Sequence, residues 1–157
     1  MTWPVCCYTV ADENGKTGDG GEMSPADQTA LADAASRVLD NLGELEPQLV
    51  NAGIFDEARN PVALTDDSGG WSSQAAELLE ALKAGSGDEV LDSAHVASEE
   101  GEVFVVEESG LSLVAVTGRF VLASLTSYDM RMALRDVARS GVRNTTGGAE
   151  NEGSGDA

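Results

Sequence analysis

Three short apolar runs follow one another between residues 103 and 126. They read V-F-V-V-E-E, L-S-L-V-A-V-T and R-F-V-L-A-S-L-T, and Ser109-Gly110 and Gly118 separate them. Runs of this length, rich in β-branched residues and separated by glycine, are typical of strands joined by tight turns. The pattern predicts a three-strand antiparallel meander whose core includes Leu113, Val114, Val116, Phe120 and Leu122.

The apolar spacing changes after residue 126. Met130, Leu134 and Val137 recur at i, i+4 and i+7, which is the period of a helix with one buried face. Gly141 stands where a helix commonly ends. We therefore expect a closing helix that ends at Gly141, and the chain beyond it, at 144–157, is expected to be a disordered acidic tail.

The first half of the chain predicts a helix, two strands and a second helix. Ser24 is a suitable N-cap ahead of Pro25, and an apolar stripe runs over 25–42 as far as Gly43. Strands at 48–55 and 61–65 enclose an acidic turn, and a second helix opens at Trp71 and ends at 85–87. Residues 88–102 fit an irregular arm with a short strand near 94–97.

Both faces of the predicted meander are apolar. By the period of two, Val114 and Val116 share one face, and Leu113 and Ala115 share the other. A sheet with two apolar faces has to be covered on both sides. We therefore expect one α+β domain at 24–143 with helices on both faces, preceded at 1–23 by a partly flexible, glycine- and acid-rich arm with a short strand after Pro4.

The charge is strongly one-sided, with 28 acidic against 9 basic residues and a net charge of −19. Residues 24–143 alone carry 21 acids and 8 bases, so the excess is not confined to the ends. This acidic, lysine-poor composition resembles that of proteins from salt-in halophiles such as haloarchaea, and the alternative is an ordinary acidic protein. The negative electrostatic field of such a chain disfavours nucleic acid, which is also negatively charged, as a partner.

The sequence offers no set of residues for catalysis, a cofactor or a metal ion. Cys6 and Cys7 have no further ligand nearby, and His95 is the only histidine, which favours structural roles. The G-K-T at 15–17 lacks the upstream glycine of a phosphate-binding loop. Without an apolar run long enough for a bilayer or a secretory pattern, no membrane association and a cytoplasmic location are expected.

The order of elements over 24–141 resembles the roadblock/LC7 family, also called the dynein light chain roadblock type. The matching stretches are N-A-G-I-F-D-E-A-R-N-P-V-A-L-T, S-S-Q-A-A-E-L-L-E-A-L, and the meander with its closing helix. The resemblance implies a profilin-like three-layer α/β/α fold with a five-stranded antiparallel sheet. The first and last helices would cover one face and the second helix the other. The long link at 85–102 and the N-terminal arm depart from the family pattern.

The resemblance also implies a role. Family members usually dimerise through the second helix and an edge strand, and serve as scaffolds, as adaptors on motor complexes or as regulators of small Ras-like GTPases. They are not enzymes. A small-ligand sensory domain of profilin-like or PAS-like fold is the alternative.

Two surfaces are candidates for such a role. The second helix carries two apolar pairs about 100° apart, and we expect the face of Ala75, Leu79 and Leu82 to form a homodimer. The closing helix carries a stripe of arginines that could dock an acidic partner, against the simpler interpretation of a solvated edge: Arg131, Arg135 and Arg139.

The charge excess generates the first prediction. The melting temperature should rise as KCl increases from about 0.1 M toward molar levels, because the Debye length falls from roughly 10 Å to roughly 3 Å and self-repulsion is screened. Thermal melts at several KCl concentrations measure this, and a melting temperature that is independent of KCl would exclude the halophilic interpretation.

Overall fold

The computed structural model describes residues 23–146, so the predicted strand after Pro4 and most of the predicted tail lie outside the described residues. The helices are α1 (Pro25–Leu45), α2 (Trp71–Ser86) and α3 (Ala123–Thr146). The strands are β1 (Leu49–Phe55), β2 (Pro61–Leu64), β3 (Ser93–Ala97), β4 (Glu102–Glu108) and β5 (Leu111–Thr117). A single 3-10 turn at Ser68–Gly70 leads into α2.

The strands form one five-stranded sheet in the order β2-β1-β5-β4-β3. Every neighbouring pair is antiparallel, and the long-range pair β1·β5 joins the two halves of the chain. In its centre Ala52 lies opposite Ala115 and Ile54 lies opposite Leu113. The predicted five-stranded antiparallel sheet is confirmed.

The prediction of a third meander strand at 119–126 is wrong. β5 is flanked by β1 and β4, so neither of its edges is free to pair with a strand that follows it. The chain instead turns at Phe120, whose φ is 67°, and enters α3 at Ala123. Phe120 and Leu122 are consequently 83% and 67% exposed and do not belong to the core. The fifth strand is β3, and the short strand predicted near 94–97 is confirmed.

One face of the sheet packs against α1 and α3, and we call it the α1/α3 face. The apolar stripe of α3 that the spacing predicted lies in this core together with buried residues of α1 and the sheet. Its largest members are Leu39, Ile54, Phe104, Leu113, Met130, Leu134 and Val137. The opposite face, the α2 face, has a smaller core made by Phe55, Ala75, Leu79, Val105 and Val114. The predicted three-layer arrangement is confirmed.

Two helices run past the glycines at which they were expected to end. α1 continues through Gly43 to Leu45, and α3 continues through Gly141 to Thr146, which takes in the first residues assigned to the tail. A glycine inside a helix costs about 1 kcal/mol relative to alanine. The antiparallel packing of α1 on α3 outweighs that cost. The start of α1 is as expected, since the Asp27 N–H donates to the Ser24 hydroxyl at 3.3 Å.

A pair of leucine truncations tests the corrected strand assignment. Leu113→Ala removes a fully buried side chain from β5 and should lower the free energy of unfolding by about 2–5 kcal/mol. Leu122→Ala, the matched control in the exposed link, should change it by no more than about 0.5 kcal/mol. Urea denaturation in molar KCl measures both values, and equal losses would mean that residues 119–122 are part of the core after all.

Candidate interaction surface

The two edges of the sheet differ in how open they are. β2 has four residues and begins with Pro61, which has no N–H to donate. β3 has five residues, pairs only with β4 within the described part of the chain, and is exposed at every position except the half-buried Ala94. An edge strand with free N–H and C=O groups is a template for pairing with another strand. β3 is therefore the edge on which such pairing can occur.

The structure fixes the direction in which α2 faces. Ala75 and Leu79 are 4% and 0% exposed and lie in the α2-face core, whereas Leu78 and Leu82 are half-buried. The prediction that Ala75 and Leu79 face outward is therefore wrong, and Leu82 is the member of that set that remains accessible. Helical spacing defines the two apolar pairs, but it does not determine which pair packs on the sheet.

An apolar strip lies between α2 and β3 and is only partly covered. Leu78 and Leu82 from α2, Ala94 from β3 and Val103 from β4 are half-buried at the margin of the α2-face core. Val96 lies directly opposite Val103 in the β3·β4 ladder and so shares its face, and it is 56% exposed. We call these five residues the β3 shelf. Apolar side chains left half-covered beside an open edge are suited to a protein partner.

On the α1/α3 face, a carboxylate ties β3 to the link before α3. Glu102 Oε2 lies 2.6 Å from His95 Nε2, and Glu102 Oε1 accepts the Phe120 N–H at 2.9 Å. The His95 ring stacks on Phe104 with centroids 4.3 Å apart. The hydrogen bond with His95 lowers the pKa of Glu102 below its ordinary value; burial opposes this shift, and the Phe120 N–H adds to it. His95 thus has a structural partner, and Glu102, which sequence reasoning missed, holds the exposed Phe120 in its left-handed backbone conformation.

A second residue that the sequence did not single out is Arg59, in the turn between β1 and β2. Its side chain is only 9% exposed, and its Nη1 donates to Glu107 Oε1 at 3.0 Å and to Ser112 Oγ at 2.8 Å. Its Nε lies 3.8 Å from a carboxylate oxygen of Glu80 on α2. Arg59 therefore connects the first hairpin, the second hairpin and α2. The only sign of this role in the sequence is that Arg59 is the single cation in an otherwise acidic turn.

The predicted arginine stripe lies on α3, and each of its members is next to a carboxylate. The pairs are Arg131 with Asp92 at 2.7 Å, Arg135 with Glu108 at 3.2 Å and Arg139 with Asp136 at 3.5 Å. These contacts are exposed or partly exposed, where an ion pair contributes little. They neutralise most of the positive charge that would attract an acidic partner, and docking on this stripe remains a prediction.

A groove opens at one end of the α1/α3 face. It has a volume of about 1100 Å³ and lies between the start of α1, the last turns of α3 and the two hairpin turns. Leu31, Leu111 and Ala138 make an apolar lining, and Arg135 and Arg139 stand on one side. We call it the helix-end groove. Among the described residues there is no cluster of three or more His, Cys, Asp or Glu side chains that could hold a metal ion.

Solved structures share this fold. The roadblock/LC7 domain from Streptomyces avermitilis is 18% identical, with a TM-score of 0.58 over 66% of this chain and 94% of that one. The gliding protein MglB from Thermus thermophilus is 16% identical, with a TM-score of 0.56 over 73% and 93% of the two chains. An MglB with a tetrameric arrangement is 16% identical, with a TM-score of 0.60 over 73% and 92%.

The chain therefore has the roadblock/LC7 fold, and the resemblance seen in the sequence is confirmed at that level. At such identities the similarity establishes fold alone. No protein-family model matches the sequence, and no curated protein matches it. None of the helices in the described part of the chain is long and apolar enough to cross a membrane.

The Glu102 contacts generate a pH prediction. Because the pKa of Glu102 is lowered in the folded state, its carboxylate stabilises the fold above its ordinary pKa, and this contribution is lost as the pH falls through the folded pKa. Glu102→Gln should therefore lower the free energy of unfolding at pH 6, and the difference from the parent should shrink at pH 3. Urea denaturation at both pH values measures this.

The exposed Glu100 in the turn before β4 provides the control. Glu100→Gln lacks these contacts and should differ little from the parent at either pH. A Glu102→Gln deficit that is equally large at pH 3 and pH 6 would show that the charge on Glu102 is not what stabilises this corner.

Proposed function

We propose that this chain is a non-enzymatic interaction module that forms a homodimer through β3 and the β3 shelf. As such it would act as a scaffold, as an adaptor in a complex or as a regulator of a small Ras-like GTPase. The observation that carries the proposal is the open edge of β3 next to apolar side chains that α2 covers only in part. The fold adds support, because the resemblance to roadblock/LC7 proteins implies this class of function.

A dimer with its two-fold axis beside β3 would use both the open edge of β3 and the β3 shelf. An antiparallel strand can pair with its own copy, so the free backbone groups of one β3 meet those of the other. The same axis brings two copies of the β3 shelf together and removes Val96 from water. Burial of apolar area is worth about 25 cal/mol per Å², so a shelf of this kind adds to strand pairing. One structure with this fold is an MglB in a tetrameric arrangement, which supports self-association in proteins of this fold.

Charge sets the conditions under which this dimer forms. Each copy carries a net charge of −19, and two such copies repel each other at low ionic strength. At molar salt the repulsion is screened over roughly 3 Å. We therefore propose that the protein works in a salt-rich cytoplasm of the halophilic, archaeal type, where dimer formation is favoured.

The helix-end groove supports a second candidate function, a small-ligand sensor. Its volume of about 1100 Å³ is in the range of ligand sites, and apolar walls with a few polar groups are typical of them. The groove is separate from the β3 shelf, on the opposite face of the sheet. A sensor would bind a small molecule there without needing the β3 edge.

A pair of valine substitutions tests the dimer. Val96→Lys places a charge on the shared edge and should convert a dimer at tens of micromolar protein into a monomer, since lysine on an edge strand opposes pairing. Val90→Lys is the matched control, because Val90 is 92% exposed in the link before β3 and should leave the dimer intact. Sedimentation equilibrium in about 2 M KCl measures the mass of each, at an ionic strength where the change in net charge is screened.

The same variants test the partner. Tagged parent and Val90→Lys should retain a GTP-binding protein from a host extract in molar KCl, and Val96→Lys should lose it if the dimer is the binding form. A parent that sediments as a monomer would remove the dimer, and a set of bound proteins without a nucleotide-binding member would remove the GTPase in favour of a scaffold.

A further inference from the structure

We propose that the helix-end groove is occupied by the chain's own N-terminal segment, residues 3–10. The proposal concerns a surface apart from the β3 shelf and is independent of the dimer. It rests on the lining of the groove, on the point at which the chain reaches it and on the chemistry of those eight residues.

The floor of the groove is made by residues that belong to the α1/α3-face core or pack against it. Leu111 is only 8% exposed and is part of the α1/α3-face core, and Leu31 packs against the same core from α1. Ala138 on α3 is half-buried and small, which leaves space between the two helices and the hairpin turns. Apolar side chains that line an open groove are suited to binding another segment or molecule.

The N-terminal part of the chain leads directly to the groove. Met23, the first described residue, lines the groove and is 47% exposed. The segment 3–10 is joined to it by residues 11–22, a stretch that spans at most about 40 Å when fully extended. A tethered segment of this length has an effective concentration on the order of millimolar. Weak intrinsic affinity is therefore sufficient to keep the groove occupied.

The chemistry of the segment fits the groove better than an acidic partner would. Residues 3–10 read W-P-V-C-C-Y-T-V and carry no charged side chain, whereas residues 11–22 carry four acids and one base. Asp27, Asp56 and Glu57 also line the groove and would repel an acidic ligand. Carboxylates can accept the indole N–H of Trp3 or the hydroxyl of Tyr8, and the guanidinium of Arg139 can lie over an aromatic ring.

The two cysteines make the proposal measurable. Cys6 and Cys7 are the only cysteines of the chain and lie in the middle of the proposed segment. Their alkylation by iodoacetamide, an uncharged reagent, should be at least about tenfold slower in the full chain than in a free peptide of residues 1–22. That ratio corresponds to a segment that is free for no more than about a tenth of the time. Equal rates in the parent and the peptide would overturn the proposal without any variant.

Two variants in which glutamate replaces alanine test where the segment binds. Ala138→Glu fills the groove with a charged side chain and should restore the alkylation rate of the peptide. Ala84→Glu makes the same change at an exposed position of α2, on the opposite face of the sheet, and should keep the slow rate. Circular dichroism establishes that both variants are folded under the labelling conditions. Protection that survives Ala138→Glu in a folded protein would show that the segment binds elsewhere.

The remaining outcomes concern other occupants. If the segment of a second copy fills the groove, protection should disappear on dilution, and that result would overturn the intramolecular form proposed here. Protection that is unchanged over about a hundredfold range of protein concentration supports it, because an intramolecular contact does not depend on concentration.

Discussion

The pairing of β1 with β5 is the interaction on which the rest of the structure depends. It joins a hairpin from the first half of the chain to a hairpin from the second half and makes one sheet of both. Because β5 then has a neighbour on each side, the segment after it cannot become a strand and is directed into α3. The same pairing places β3 at one edge of the sheet and β2 at the other. The open edge is therefore a consequence of how the two hairpins meet.

The apolar character of both sheet faces determines where the helices pack. Leu113 and Ala115 require cover on one side and Val114 on the other, so the helices divide between the two faces, with α1 and α3 on one and α2 on the other. The pair α1 and α3 covers its face broadly. A single helix is narrower than five strands, and α2 leaves Val96 and Val103 at the β3 side only partly covered. The β3 shelf follows from one helix covering a sheet face that needs two.

The sequence predicted most of the fold because local pattern and long-range pairing agree over most of the chain. The period of two in β4 and β5, the stripe of α3 and the N-cap at Ser24 each correspond to an observed element. The error at Phe120 and Leu122 arose because an apolar run shows only that a segment can form a strand. It does not show whether a neighbouring strand has an edge free to pair with it. The error at Leu79 has a similar origin, since helical spacing leaves the rotation of α2 undetermined.

Glu102 and Arg59 were beyond sequence reasoning for a different reason. Each acts through partners distant in sequence, such as Phe120 for Glu102 and Ser112 for Arg59. In a chain with 28 acidic residues, nothing in the sequence distinguishes a carboxylate that organises a corner from one that is merely solvated. Burial makes the difference, because a desolvated carboxylate needs donors close to it. Such residues become identifiable only once the sheet has brought their partners together.

The two proposed surfaces lie on opposite faces of the sheet, and this determines how they can act together. Residues 3–10 in the helix-end groove would contact α1 and α3, whereas a dimer across β3 would use the α2 face and the edge. Neither contact blocks the other, so a dimer can form with its grooves occupied. Coupling between them would have to pass through the sheet itself. The Glu102 contacts join β3 to the start of α3, whereas the groove is lined by the turn at the other end of β4 and by the later turns of α3, so these contacts hold the β3 edge without reaching the groove.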